Sequence, residues 1–317
     1  GSSVIRVNEG SIIIGPESVG VNPGPASFGR GGTEATLTDA LLLLGIIDAK
    51  TFSGGEIALD VDRATKAVEA IGGLLGLDAG NAASLILKEF SGQVAARLRE
   101  LSADREIDLS TSSLLAYGGC GPMVACSVAH SSGIKKVIVP NLSSVFSAFG
   151  LGFSDIAHEY QMTFDSNSDI GNHTNQMSER AARDMFGEGV DPQECRYSFS
   201  KLEIKNGVLS ETTLDDKNLK EGAEVRLRAS YELPRFDLEN LSADVGGGNA
   251  EKALASDVKR ESIEGLSIFK LSELVADREI CGPGLVLADY LTCFIEKNWR
   301  LVLTKSGDLM MELKFDE

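Results

Sequence analysis

The sequence is poor in aromatic residues, in histidine and in basic charge. Aromatic residues make up 6% of the 317 residues, with a single tryptophan, and there are three histidines. Lysine and arginine together number 30 against 47 aspartate and glutamate residues, which gives a formal net charge of −17. Duplex DNA and anionic membrane surfaces bind proteins through a basic face, so this balance argues against nucleic-acid and membrane partners.

Long hydrophobic runs are also missing. No apolar run approaches the ~20 residues that a membrane-spanning helix needs. Hydrophobic residues nevertheless make up 43% of the chain, which is enough to form a sizeable core. A chain of this length accommodates two domains of roughly 100–200 residues each.

Cysteine pairs with metal-site spacing do not occur. The five cysteines are scattered, no two form a CxxC pair, and the histidines do not flank them at zinc-like spacing. The pattern predicts reduced thiols in a cytoplasmic protein and no metal site built from cysteine. The cysteines are Cys120, Cys126, Cys195, Cys281 and Cys293.

Hydrophobic periodicity divides the chain into two parts. Residues 1–15 alternate apolar and polar and predict a hairpin, whereas apolar residues three and four apart predict helices over 63–76 and 79–103. Beyond about residue 160, short apolar stretches between polar turns indicate strands. We therefore expect an α/β part at 1–160 and a mostly β domain at 161–317.

Residues 15–39, GPESVGVNPGPASFGRGGTEATLTD, are dense in glycine and proline and predict a functional loop. Gly31 and Gly32 would either present backbone N–H groups to an anion or form a structural turn. Arg30 is a candidate phosphate clamp or a solvated loop charge. Asp39, at a predicted helix start, fits an N-terminal cap or first-turn charge.

Residues 113–140 predict a buried strand, a glycine-rich corner, a small-residue helix and a second buried strand. Gly118, Gly119 and Gly121 have no Cβ and tolerate positive φ, and Pro122 suits a first helical turn. With the free N–H groups of the helix N-terminus, this corner suits a nucleotide or another planar ligand with polar edges. A tight turn needed only for packing is the alternative explanation of this composition. The GxGxxG spacing of dinucleotide-binding folds and the GK[ST] ending of a P-loop are missing. Cys120 is a small buried filler or a nucleophile.

Several stretches together resemble the hydantoinase A family, which includes 5-oxoprolinases, N-methylhydantoinases and acetone and acetophenone carboxylases. The stretches, in chain order, are GSSVIRV, the loop just quoted with its continuation ALLLLG, LLAYGGCGPMVA, SSVFSAFGLGFSDIAHEY and GPGLVLADYLTCFIEKNWRLVLTKSGDLMMEL. The loop that ends in TLTDA is the most specific of them. The resemblance covers roughly the C-terminal half of a typical member.

The resemblance implies a fold and a ligand. The family looks like the actin, Hsp70 and sugar-kinase superfamily, so we expect an α/β fold with a ribonuclease-H-like half-domain followed by the mostly β domain. By resemblance, Gly118, Gly119, Gly121 and Pro122 would hold the adenosine of ATP. Asp39 would face the catalytic cleft through magnesium or water, and Gly31 and Gly32 would lie near the nucleotide.

The sequence also departs from the family pattern. No DxGGT-type phosphate motif occurs in it, so the resemblance implies that ATP and magnesium are completed by a second polypeptide that carries those motifs. A hydantoinase B-like subunit would handle the reacting carbon of the small-molecule substrate. Val124 stands where many relatives have histidine, and Ser27-Phe28 where they often have cysteine-tyrosine.

Two functions therefore remain open. The first is one subunit or fragment of an ATP-dependent enzyme, inactive alone, that phosphorylates a carbonyl or enol oxygen for cyclic-amide hydrolysis or ketone carboxylation. The second is a non-catalytic structural paralogue of half length within a multi-subunit complex. The glycine corner and the TLTDA loop favour the first, while Val124 and the missing phosphate motifs favour the second.

Overall fold

The computed structural model describes residues 2–164, 170–205, 208–214, 219, 221–234, 261–263 and 265–314. The chain forms two compact units. The first unit takes the described residues up to Ser147 together with those from 261 onward, and the second takes the described residues from Ala148 to 234.

The first unit contains both helices and strands, whereas strands dominate the second. In chain order the helices are α1 (Leu37–Leu43), α2 (Val61–Leu75), α3 (Ala79–Ala103), α4 (Gly121–Ser132), α5 (Phe146–Leu151) and α6 (Ile170–Gly187). The strands are β1 (Ser3–Asn8), β2 (Ser11–Ser18), β3 (Ser113–Leu115), β4 (Lys136–Val139), β5 (Ile156–Thr163), β6 (Arg196–Lys205), β7 (Val208–Thr213), β8 (Glu224–Tyr231), β9 (Glu261–Ile263), β10 (Leu266–Lys270), β11 (Glu279–Cys281), β12 (Gly284–Ala288), β13 (Leu291–Ile295), β14 (Trp299–Leu303) and β15 (Leu309–Leu313).

Local sequence signals account for the beginning of the first unit. Strands β1 and β2 form the predicted antiparallel hairpin. Asp60 caps α2 by accepting the Arg63 N–H, and Asp78 caps α3 by accepting the Asn81 N–H. Between these helices the chain turns at Gly76, whose φ of 70° lies in the left-handed region that glycine adopts without strain.

A five-stranded sheet joins residues that are far apart in sequence. Its strand order is β11-β14-β15-β4-β3, with β15 antiparallel and β3 parallel to β4. Strand β4 buries Val137 and Val139 and needs a neighbour on each side, and β15 supplies one of them with the buried Leu309 and Met311. The compact units therefore differ from the predicted division at residue 160, because strands of the last forty residues complete a sheet begun at residue 113.

A second sheet of the first unit has the strand order β13-β12-β10-β9. Strands β12 and β13 form a hairpin whose last paired residues are Ala288 and Leu291. Leu285 of β12 lies in the apolar core formed by α1, α2, α3 and α4, whereas Val286 and Cys293 lie in a core around Trp299. The hairpin therefore connects the two cores.

The second unit is built on an antiparallel sheet of order β5-β8-β6-β7. Helix α6 packs on it through Met177, Ala181 and Met185, which are four residues apart and lie in one core with Leu227 and Ala229. The prediction of short strands beyond residue 160 missed this helix of 18 residues. Overall the chain has a mixed α/β fold with several sheets.

No single helix in the described part of the chain has the length and apolarity to cross a membrane. Helices α2 and α3 pass that test only as a pair, and they are bent by 83° at the break between them.

Candidate functional site

The predicted glycine corner, Gly118–Pro122, lies between the end of β3 and the first turn of α4. Gly118 has a φ of 79°, and its N–H donates to the Ser143 carbonyl at 2.8 Å. Pro122 is buried in the first turn of α4, where its missing N–H leaves no hydrogen bond unmade. The structure thus brings the four predicted residues of this corner together at one helix N-terminus.

The backbone of the corner is bare on its open side. A Cβ added at Gly118 or at Gly119 would meet no atom within 4 Å, whereas one at Gly121 would lie 3.6 Å from the Ala116 carbonyl carbon. Beside the corner, the Tyr117 ring is 46% exposed and packs on Phe146 at a centroid distance of 5.0 Å. The corner therefore offers uncovered main chain to which a flat ligand has access.

Gly119 and Met123 line a cavity of about 800 Å³, here called the corner cavity. All of its lining residues belong to the first unit. The other lining residues come from the segment after α1 (Ile47, Asp48, Lys50, Thr51, Phe52, Ser53, Gly54, Gly55), from Ser144, and from β10 to β13 (Ile268, Lys270, Ser272, Leu285, Leu287, Ala288, Asp289, Tyr290, Leu291, Thr292). This volume lies within the range of small-molecule sites, roughly 300–1,000 Å³.

Charged groups in the corner cavity are balanced. Two carboxylates, Asp48 and Asp289, line it together with two ammonium groups, Lys50 and Lys270. The Lys270 Nζ is also 3.6 Å from Glu273 Oε1. The cavity therefore favours an uncharged polar ligand over a multiply charged anion.

Asp48 holds the segment after α1 in place. Its Oδ1 accepts the backbone N–H groups of Lys50 and Thr51 at 2.9 and 2.8 Å and the Thr51 hydroxyl at 3.0 Å. Burial acts to raise the pKa of Asp48, but the hydrogen bonds from Thr51 and Lys50 outweigh it and leave the pKa below its ordinary value. Asp48 is thus an ionised carboxylate that fixes a cavity wall.

Cys120 lies at the N-cap position of α4, within the glycine corner. Burial raises the pKa of its thiol. Because the thiolate is the reactive form of cysteine, this environment opposes nucleophilic chemistry and matches the interpretation of Cys120 as a small filler.

Gly31, Gly32 and Asp39 lie in the glycine-proline loop and are not among the residues that line the corner cavity. Gly31 is exposed with a φ of 95°. A Cβ at Gly32 would overlap the Gly24 carbonyl oxygen, so the loop closes on itself only where this position has no side chain. The steric requirement at Gly32 and the positive φ of Gly31 give this turn a structural reason for both glycines.

Asp39 is fully buried and ties the loop to helix α1. Its Oδ1 accepts the Ser27 N–H at 2.8 Å, and its Oδ2 accepts the Thr36 N–H at 2.9 Å and the Thr36 hydroxyl at 2.8 Å. Thr36 in turn caps α1, which completes a capping box. Both carboxylate oxygens are used within the loop, as the capping interpretation predicts.

The loop supports one wall of the corner cavity from behind. Phe52 lines the cavity and packs on Phe28 of the loop at a centroid distance of 5.9 Å. Arg30 lies over the Phe28 ring with its Cζ 5.8 Å from the centroid, so the guanidinium stacks on the loop. Ser27 adds a further link, because its carbonyl accepts the Asp60 N–H at 2.7 Å.

Sequence reasoning missed two walls of the corner cavity. The segment 47–55 and the β12–β13 hairpin carry polar and aromatic groups that do not form a recognisable motif. Nothing in the sequence shows that Ser53-Gly54-Gly55 and the Asp289-Tyr290 tip meet the glycine corner. In the described part of the chain, no cluster of three or more His, Cys, Asp or Glu side chains is arranged to hold a metal ion.

Comparison with known proteins shows a relationship along the chain. Caprolactamase subunit alpha of Pseudomonas jessenii is 31% identical over 218 residues, which cover 65% of this chain and 31% of that protein. 5-Oxoprolinase 1 of Arabidopsis thaliana is 25% identical over 369 residues, which cover 99% of this chain and 29% of that protein. The chain thus spans about a third of the length of these relatives.

The fold is also found in a solved structure. The nucleotide-free structure of acetone carboxylase superimposes with a TM-score of 0.67 at 16% sequence identity, covering 98% of this chain and 51% of that chain. At this identity the likeness concerns the fold.

A family model described as Hydantoinase/oxoprolinase matches residues 1–160, which is half of the chain and includes both the glycine-proline loop and the glycine corner. On this match, the chain belongs to the hydantoinase/oxoprolinase family.

Proposed function

We propose that this chain supplies the nucleoside-binding part of an ATP-dependent enzyme, and that the adenosine of ATP lies in the corner cavity against Gly119, beside Gly118. The observation that supports this most directly is the bare main chain of these glycines, since an added Cβ at either would meet open space. The cavity beside them is large enough for a nucleoside, and both apolar and polar residues line it. In this proposal the first unit corresponds to a ribonuclease-H-like half-domain.

The residues of this chain fit the nucleoside better than the phosphates. Lys50 and Lys270 in the cavity are balanced by nearby carboxylates. The sequence has no DxGGT stretch. We therefore assign phosphate and magnesium binding to a second polypeptide and propose that this chain is inactive alone. A hydantoinase B-like subunit would complete the assembly.

In the complete enzyme, ATP would phosphorylate an unreactive carbonyl or enol oxygen. This step would prepare either the hydrolysis of a cyclic amide or the carboxylation of a ketone. The part of this chain in that reaction is to bind and orient. The glycine corner and α4 would place the nucleoside, and Asp48 would keep the adjoining wall in one conformation. Holding a reactant in one geometry lowers the entropic barrier of the chemical step.

The experiment is a calorimetric titration of this chain with adenosine and with ATP plus magnesium. Because the cavity charges cancel, we expect adenosine and ATP to bind with affinities within about tenfold of each other. Gly119→Val should weaken both, since Gly119 lines the cavity and an added Cβ there meets no protein atom within 4 Å. Gly73→Val, on an exposed part of α2 where an added Cβ also meets nothing within 4 Å, is the matched control.

One observation favours the alternative of a non-catalytic structural subunit. Val124 is 7% exposed and packs in the core with Met123 and Val128, so this position presents no polar group to a ligand. If neither adenosine nor ATP binds, the nucleoside proposal is wrong and the structural role stands. The structural role is excluded if the wild type and Gly73→Val bind the nucleoside and Gly119→Val does not.

A further inference from the structure

Tyr290 stands at the tip of the β12–β13 hairpin. Strand pairing ends at Ala288 and Leu291, which leaves Asp289 and Tyr290 as the two tip residues. Tyr290 is one of the residues that line the corner cavity, and it is 63% exposed. A residue this exposed keeps more than half of its surface in contact with water, so its aromatic side chain is accessible to a ligand.

The Tyr290 ring lies near the main chain of Gly54, which also lines the corner cavity. A Cβ added at Gly54 would lie 3.4 Å from Tyr290 Cε1 and 3.6 Å from the Asp289 carbonyl oxygen. Gly54 has a φ of 68°, and the preceding Ser53 is also left-handed with a φ of 54°. The chain therefore adopts an unusual turn here that brings bare main chain up to the ring.

The cavity thus contains two surfaces suited to a flat ring. One is the main chain of Gly119, which has no side chain to keep a ligand away, and the other is the Tyr290 ring. They come from positions about 170 residues apart in sequence, and both belong to the first unit. Nucleobases stack on aromatic side chains through their π faces, and tyrosine is one of the residues used for this purpose.

We propose that Tyr290 is a ligand-binding residue that stacks on the base of the bound nucleoside. This inference rests on the proposed function, because it concerns the same cavity. It adds that the β12–β13 hairpin, in the last third of the chain, forms part of the base site. Stacking needs the aromatic ring and not the phenolic hydroxyl, so substitutions can separate the contributions of these two groups to the affinity for adenosine.

The test is titration of the full chain with adenosine by calorimetry for the wild type and for Tyr290→Ala, Tyr290→Leu and Tyr290→Phe. We expect Tyr290→Ala and Tyr290→Leu to raise Kd by about 5- to 150-fold, the range of one base–aromatic stack. Tyr290→Phe should stay within about twofold of wild type. Phe186→Ala is the control, since Phe186 is 72% exposed and lies in the second unit.

The proton NMR chemical shifts of bound adenosine test stacking directly, because a merely structural role of Tyr290 would not change them. A stacked base shows ring-current shifts of its H2 and H8 protons, which should persist in Tyr290→Phe and disappear in Tyr290→Leu. If Tyr290→Ala does not fold, the comparison of Phe with Leu decides the question alone. Equal affinity of wild type and Tyr290→Leu would overturn the stacking role and leave the nucleoside site intact. A wild type that binds no adenosine would overturn the proposed function itself.

Discussion

The carboxylate of Asp39 accepts the Ser27 N–H at 2.8 Å across twelve residues of the glycine-proline loop. With its two hydrogen bonds from Thr36, this contact fixes the loop to the first turn of α1. The loop in turn supports the cavity wall through the Phe28–Phe52 pair. Asp39 therefore acts on the candidate site through the structure of the loop.

Removal of the Asp39 carboxylate should strongly destabilise the first unit. Asp39→Ala leaves the buried N–H groups of Ser27 and Thr36 without acceptors, and we expect a loss of about 3 kcal/mol or more in the free energy of unfolding. Urea unfolding followed by the fluorescence of Trp299, the single tryptophan, measures this loss. The matched control is Asp78→Ala at the exposed N-cap of α3, with an expected loss of ~1 kcal/mol. Equal losses in the two variants would contradict the bridging role of Asp39.

Two buried hydroxyls of the same loop should respond in opposite ways to removal. The Ser27 hydroxyl is buried and has no hydrogen-bond partner, whereas the Thr36 hydroxyl donates to Asp39 at 2.8 Å. Ser27→Ala should therefore be neutral or raise stability by up to ~1 kcal/mol, because it removes an unsatisfied polar group. Thr36→Val should lower stability by about 1–2 kcal/mol, because it removes a cap. The same urea measurement compares them, and a larger loss for Ser27→Ala than for Thr36→Val would show that the Ser27 hydroxyl has a partner.

Glu296 should make stability fall as pH rises from 4 towards 8. Burial raises the pKa of this carboxyl, which contacts the Ser127 hydroxyl. A carboxyl with a raised pKa in the folded state stabilises the fold below its unfolded pKa, and this contribution is lost as pH rises through the folded value. Glu296→Gln, which stays neutral, should therefore be more stable than wild type near pH 7, with the difference vanishing towards pH 4.

Glu312, on β15, provides a control of opposite sign in the same unit. A hydrogen bond from Arg300 lowers the pKa of Glu312, so its contribution is present above the unfolded pKa and is lost as pH falls through the folded value. Glu312→Gln should thus be less stable than wild type near pH 7. Urea unfolding at several pH values distinguishes the two. The assignment of Glu296 fails if both variants change stability in the same direction at neutral pH.

The five free thiols should react in an order set by burial. Cys281 is exposed, whereas Cys126 and Cys293 are 1% and 0% exposed. Burial also raises the pKa of Cys293 to about 12 and the pKa of Cys126 well above its ordinary value, so both remain thiols at pH 8. Iodoacetamide labelling with peptide mapping should modify Cys281 first and these two only in urea. Labelling of Cys293 in the native protein at the rate of Cys281 would contradict the packing of β13.

Much of the local structure follows from the sequence. Helix α3 occupies the predicted residues 79–103, and β1 and β2 form the predicted hairpin. The glycine corner also lies between a strand and a helix as expected. These features depend on caps, turn residues and hydrophobic spacing, whose effects extend over a few residues only. The structural turn at Gly32 and the cap at Asp39 were likewise among the alternatives that the residues themselves suggested.

Only the tertiary structure decides which segments meet. The pairing of β15 with β4 and the approach of Tyr290 to the corner cavity join residues separated by about 170 positions. Such pairings form because apolar faces of distant segments are buried against each other. Many segments of this chain have an apolar face, so the pattern of one segment does not identify its partner. Helix α6 was missed because its apolar side consists of only Met177, Ala181 and Met185 in an otherwise polar stretch. The sequence by itself determined the family and the corner, and the packing of distant strands determined the cavity.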